Sequence, residues 1–287
     1  MPPSNGPARL REILAGDRCV VACSLFDPMS ARVADELGFE LGIMGGSVAA
    51  LAVLGAPDLI LLSLTELAEQ ARRVCRAGRV GLIVDADHGY GNALSVMRTV
   101  EELQAAGVAG ISIEDTRLPR AYGAGEKAQL TSLEEGVGKM RAAVAARGAG
   151  PMGIFGRTGA ATLTGVEDAV ARFSAYEAAG VDALFLPGLE SREQLDRIAA
   201  ATRLPLILAG CSEKLADTAY LASRRVKVWM AGHQAFNAAV QGLVDAMQAV
   251  RDGARPSELK NIAPRGLMDT LTRAAQYQAA TRDYLGG

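Results

Sequence analysis

Short runs of Val, Ile and Leu recur along the chain at 19–25, 40–44, 80–84, 110–113, 152–155, 183–186, 204–208 and 226–230. Each has the length of a buried strand and is bounded by polar or glycine positions. Between them lie longer Ala-rich segments with apolar residues at helical spacing, as in Leu64-Leu67-Ala71-Val74, Val96-Val100-Leu103 and Val166-Val170-Phe173-Tyr176. Ala77-Gly78, Ala106-Gly107 and Ala179-Gly180 end three of these segments, where glycine suits a left-handed helix exit. A strand followed by a helix, repeated, calls for parallel pairing, because each crossover returns the chain to the same end of the sheet. Eight such units predict an α/β fold of the closed (β/α)8, TIM-type, barrel kind, with a doubly wound open sheet as the alternative. No Gly-x-Gly-x-x-Gly follows the first run, which counts against a dinucleotide site. The expected organisation is a catalytic barrel over 1–253. A helical extension of the same domain follows over 254–287, interrupted by Pro256 and Pro264.

Composition narrows the partners. With 287 residues, 49% of them apolar, and a net charge of -2, the chain can bury one large core but has no long-range field for nucleic acid or an anionic membrane. No apolar run approaches the ~20 residues of a membrane span, and Met1-Pro2-Pro3-Ser4-Asn5-Gly6-Pro7 lacks the charged-then-apolar order of a signal peptide. The expected location is the cytoplasm and the expected partner a small molecule. Cys19, Cys23, Cys75 and Cys211 are scattered, with no close pair and no neighbouring histidines, so they read as reduced thiols, the first two packed in the core.

Barrel active sites are assembled from the downstream ends of the strands. Asp27 follows the first run, Gly45-Gly46-Ser47 the second, and Asp85-Ala86-Asp87-His88-Gly89-Tyr90-Gly91 the third. Glu114-Asp115 follows the fourth run and Arg157-Thr158 the fifth, while the eighth ends at Gly232-His233. Asp85 and Asp87, two apart on an extended strand, would point to one side and face a hard cation, with Mg2+ the natural choice and Mn2+ the alternative. Such a cation takes one or two direct carboxylates, so Asp85 is the expected direct ligand and Asp87, Glu114 and Asp58 act through bound water. The same acids could instead cap helices or pair with arginines. Arg157 offers a forked donor for a substrate carboxylate, or a salt bridge to Asp85 or Glu114. The Gly45-Gly46-Ser47 turn opens backbone amides and a hydroxyl to an anion. His233 is a candidate site residue or a helix cap, whereas His88 faces away from Asp87 and has a structural role.

In order and spacing, Gly45-Gly46-Ser47, Pro57-Asp58, the Asp85–Gly91 element, Glu114-Asp115 and Gly156-Arg157-Thr158 resemble the phosphoenolpyruvate mutase/isocitrate lyase superfamily. The resemblance implies a barrel whose last helix is exchanged between subunits of a homo-oligomer, a tetramer or dimer. It also implies Mg2+ holding a 2-oxo carboxylate or its enolate. The superfamily's carbon-carbon lyases carry a cysteine on a mobile loop, but the corresponding stretch, Arg117 to Lys127, has neither cysteine nor histidine. Ser47, Asp85, Arg157 and His233 without a loop cysteine are similar to the decarboxylating branch. There Arg157 and Ser47 bind the substrate carboxylate and His233 the developing oxyanion. Loss of CO2 from oxaloacetate is the expected reaction; a lyase or hydrolase acting on another 2-oxo or malate-derived acid is the alternative, and an inactive binding or scaffold protein that keeps the barrel for oligomer contacts is the third reading. The 117–130 loop, with Gly123 and Gly125, is a candidate lid.

Overall fold

A computed structural model describes residues 5–125 and 127–286. Met1–Ser4 of the opening segment and Glu126 of the 117–130 loop lie outside the described residues. The strands are β1 (Val20–Val21), β2 (Cys23–Ser24), β3 (Leu41–Met44), β4 (Gly81–Asp85), β5 (Gly110–Glu114), β6 (Gly153–Arg157), β7 (Ala183–Pro187), β8 (Leu206–Ala209) and β9 (Val226–Met230). Helices α1 (Gly6–Ala15), α2 (Pro28–Glu36), α3 (Gly46–Leu54), α4 (Leu64–Ala77) and α5 (Ala93–Ala105) belong to the first half. They are followed by α6 (Leu133–Arg147), α7 (Ala160–Leu163), α8 (Val166–Ala178), α9 (Arg192–Ala201) and α10 (Thr218–Ser223). The last three are α11 (Gln234–Arg251), α12 (Arg265–Leu271) and α13 (Ala274–Leu285). Among the described residues no helix is long and apolar enough to cross a membrane.

The chain divides into two compact units between Gly232 and His233, so α11 groups with the C-terminal helices. In the first unit every strand pairs in parallel, in the order β1-β9-β8-β7-β6-β5-β4-β3-β2. The two ends of that order are consecutive pieces of one segment. Val20 and Val21 pair with β9, whereas Cys23 and Ser24 pair with β3. Between them the Ala22 amide donates to the Trp229 carbonyl at 2.8 Å. A single strand thus bonds both neighbours and closes the ring, which settles the barrel over the open sheet.

The barrel interior is filled by alternate strand residues, among them Ile43, Ile83, Phe155, Phe185, Ile207 and Val228. Leu10 and Ile13 of α1, a helix the periodicity did not reveal, join this core. Around the ring, helices are started by local chemistry. Ser63 and Glu66 form a reciprocal capping box at α4, and the Asn92 side chain accepts from the Leu94 and Ser95 amides at α5. Asp27 is the corresponding cap of α2, accepting from the Ser30 amide at 2.6 Å, so it serves the helix start. Gly107 and Gly180 leave their helices at φ 88° and 92°, as expected. Gly78 is instead extended, at φ -124°. A side chain there would meet the Ala31 carbonyl oxygen at 2.9 Å, so close approach and not a left-handed exit calls for glycine.

Asp115, the outward neighbour of Glu114, is fully buried. It accepts from Arg172 at 2.8 Å and from the Tyr176 hydroxyl at 2.6 Å, both on α8. Its backbone carbonyl accepts from the Thr131 amide at 2.7 Å, so one network ties β5, α8 and the end of the 117–130 segment together. Arg172→Leu would leave this carboxylate buried without its cation, a loss of about 3–5 kcal/mol. Urea unfolding should show a clearly lower midpoint; an unchanged midpoint would remove the network from the stability account.

Candidate active site

Strand parity and register build the site. Ile83 and Phe155 face the barrel interior, so two residues on, at the carboxyl ends of β4 and β6, Asp85 and Arg157 face it too. Register sets Ser112 beside Asp85 and Glu114 beside Arg157. Asp85 accepts a short hydrogen bond from Arg157 and another from the Ser112 hydroxyl at 3.1 Å. Arg157 lies 3.3 Å from the Glu114 carboxylate, and its guanidinium carbon stands 5.8 Å from the centre of the Phe185 ring. The salt bridge to Asp85 and Glu114 anticipated for Arg157 is therefore present. Ser112, fully buried, was not anticipated. It is the one polar side chain at an inward position within the apolar run 110–113.

Asp87 reaches the same place by another route than the one expected. The strand ends at Asp85, and Asp87 adopts the left-handed region at φ 47°, so the two acids do not share a face of extended backbone. The chain turns back instead. The Asp87 amide donates to Asp85 Oδ1 at 3.2 Å and its carbonyl accepts from the Glu114 amide at 2.8 Å. The conformation is uncommon for a residue with a side chain, and here the two hydrogen bonds hold it.

Gly45-Gly46-Ser47 is not a free turn. Gly45 caps α3, and Gly46 and Ser47 form its first turn, so their amides belong to a helix N-terminus, an arrangement that favours anions. Gly46 lies directly against Asp87: a Cβ there would sit 2.6 Å from Asp87 Oδ1. Gly46→Ala should displace that carboxylate at a cost of about 1–3 kcal/mol, lowering kcat/KM about tenfold or more with the fold retained. Wild-type kinetics in this variant would show that Asp87 need not be held where it is.

The electrostatics follow from crowding. Burial, then the charge of Asp85, raises the Asp87 carboxyl well above the usual range, with Arg157 opposing. Glu114 is raised by burial and by Asp85, against the lowering pull of Arg157 and a hydrogen bond from Thr116. Asp58, exposed on the segment after α3, is raised by partial desolvation and by Asp85. Tyr90 is raised as well, by burial first and then by the nearby acids. Four carboxylates thus share one guanidinium, an excess of negative charge that a hard cation would relieve. The donors are all oxygen, which suits Mg2+ or Mn2+. Among the described residues no three Asp, Glu, His or Cys side chains form a ready cage.

His88 turns away from this group. Its carbonyl accepts from Lys139 at 2.9 Å, and burial together with the Lys139 charge pushes its imidazole down to about 4. His233 opens the second unit as the N-cap residue of α11, half-buried, without a side-chain capping bond.

A closed parallel barrel with an acidic, oxygen-rich site at the carboxyl ends of its strands defines an α/β enzyme class, and sequence comparison supplies the family. The family model for phosphoenolpyruvate phosphomutase matches residues 10–251, and the chain belongs to that family. Over 285 residues it is 56% identical to a protein of Paraburkholderia xenovorans (strain LB400) named oxaloacetate decarboxylase, covering 99% of this chain and 95% of the relative. Among solved structures, oxaloacetate acetylhydrolase in complex with 3,3-difluorooxalacetate superposes with a TM-score of 0.87 at 28% identity, covering 99% of this chain and 98% of that one. Phosphonopyruvate hydrolase in complex with oxalate and Mg2+ superposes with a TM-score of 0.83 at 27% identity, covering 98% and 99%.

Proposed function

We propose that this chain is a carboxy-lyase that converts oxaloacetate to pyruvate and CO2. The observation that carries the reading is the single guanidinium of Arg157 set between Asp85 and Glu114, with Asp87 beside them, at the carboxyl end of the barrel. Near-full-length similarity to a relative named oxaloacetate decarboxylase supports the same substrate here. A divalent metal, Mg2+ or Mn2+, would supply Lewis acidity at the C2 carbonyl, with Asp85 as its direct ligand and Asp87, Glu114 and Asp58 acting through water. The oxalate and Mg2+ bound by phosphonopyruvate hydrolase support that choice.

Within this reading Arg157 pairs with a substrate carboxylate through its forked donors, and the Gly45-Gly46-Ser47 helix start adds amides and a hydroxyl. The C3–C4 bond breaks, CO2 departs, and the electron pair moves onto the C2 oxygen. His233 donates a hydrogen bond to that developing oxyanion, an assignment that rests on the sequence resemblance. Water protonates C3, so no cysteine is needed in the 117–130 segment. That segment is the proposed lid: Thr116 bridges Leu130 at its base, and the Arg117 amide donates to the Gln129 carbonyl at 2.7 Å. Oxalate is planar like the enolate of pyruvate and should compete with oxaloacetate. Steady-state inhibition that does not rise in KM would count against enolate-like binding.

The likeness to oxaloacetate acetylhydrolase favours one second reading, hydrolysis or carbon-carbon cleavage of a related 2-oxo or malate-derived acid. Pyruvate and CO2 as sole products would exclude it. The working assembly in this proposal is a cytoplasmic homo-oligomer, a tetramer or dimer. Along α11 no residue is buried, and Leu243, Val244 and Met247 are 62%, 54% and 71% exposed, an apolar surface suited to a second copy of the chain.

A further inference from the structure

A cavity of about 400 Å³ lies beneath the 117–130 segment, between it and the N-terminal turns of α5 and α6. None of Asp58, Asp85, Asp87, Glu114 or Arg157 lines it, although Glu114 acts electrostatically on Lys139 in its wall and Thr116 and His88 adjoin the acidic site in sequence. Its charge is the reverse of that site. Among the described residues, Arg117, Arg120, Lys127 and Lys139 line it with one carboxylate, Glu135. Three of the cations, Arg117, Arg120 and Lys127, are exposed, whereas Lys139 is only 2% exposed.

Burying an ammonium is costly unless its three N–H donors are used. Among the described residues Lys139 has one hydrogen bond, to the His88 carbonyl at 2.9 Å, and Glu135, Asp115 and Glu114 act on it through space without a direct hydrogen bond. On the same wall His88 is 5% exposed and its Nδ1 is buried with no hydrogen-bond partner. A buried polar atom of this kind is satisfied by a water or by a bound group that fits it. A buried ammonium with donors to spare, a neighbouring imidazole nitrogen without a partner and a rim of cations together match a compact dianion.

We propose that this cavity is a second anion site, for a small dianion carrying phosphate or two carboxylates, which links the 117–130 segment to α6. The inference does not depend on the decarboxylase reading. Inorganic phosphate and succinate serve as probes, titrated calorimetrically into the full chain, the Arg157→Ala variant and the Lys139→Met variant. At least one probe should bind saturably to the wild type and to Arg157→Ala with similar affinity, and about tenfold or more weakly to Lys139→Met, the loss expected for a charged hydrogen bond. Binding of phosphate alone would identify phosphate chemistry, and of succinate alone a dicarboxylate; binding of both supports the shared site. Should Lys139→Met not fold, the surface pair Arg117→Ala/Lys127→Ala replaces it with the same expectation. Absence of saturable binding by either probe would overturn the proposal. So would binding lost in Arg157→Ala and kept in the cavity variants.

Discussion

Asp85→Asn should lower kcat for oxaloacetate about a thousandfold, the consequence of losing roughly 4 kcal/mol of stabilisation by a bound metal. Asparagine keeps the shape at the end of β4 and an oxygen to accept from the Ser112 hydroxyl and the Asp87 amide, so the local framework survives. What disappears is the charge that pairs with Arg157 and would anchor the cation. Far-UV circular dichroism should therefore stay close to wild type while turnover collapses. If Asp85→Asn retained most of its activity, Asp85 would be only a salt-bridge partner of Arg157 and the metal would have to be held elsewhere.

His233→Ala carries the next largest expectation. Removing one donor to a developing oxyanion costs about 3 kcal/mol, so kcat should fall about a hundredfold. The donor acts on charge that forms during bond breaking, so KM should change little. Far-UV circular dichroism should show the fold retained, so that the loss of kcat is read on a folded protein. A variant with unchanged kcat would take His233 out of the mechanism and leave the oxyanion to other donors.

Much of the barrel was legible because its strands are buried on both faces, which turns each into an uninterrupted apolar run with a polar residue at its exit. Asp85, Glu114 and Arg157 could be found this way: parity along a strand fixes direction, and all three are the last residues of their strands. Parity stops working where the strand stops. Asp87 lies beyond β4 and reaches Asp85 through a left-handed backbone that no alternation rule anticipates. Gly46 looked like a loose turn because two glycines lower helix propensity, but contact with Asp87 and the start of α3 override it. Ser112 is one small polar residue in an apolar run, and only its inward parity marks it. The α1 helix was missed because it is short and its apolar contribution to the core is chiefly Leu10 and Ile13.

The most direct test of the central claim is pyruvate formation from oxaloacetate by the purified protein, with Mg2+ and then with excess chelator, after subtracting the metal-catalysed background. The account expects saturable, enzyme-dependent turnover that chelation abolishes and added Mg2+ restores. Turnover indistinguishable from background in the presence of Mg2+ would contradict it.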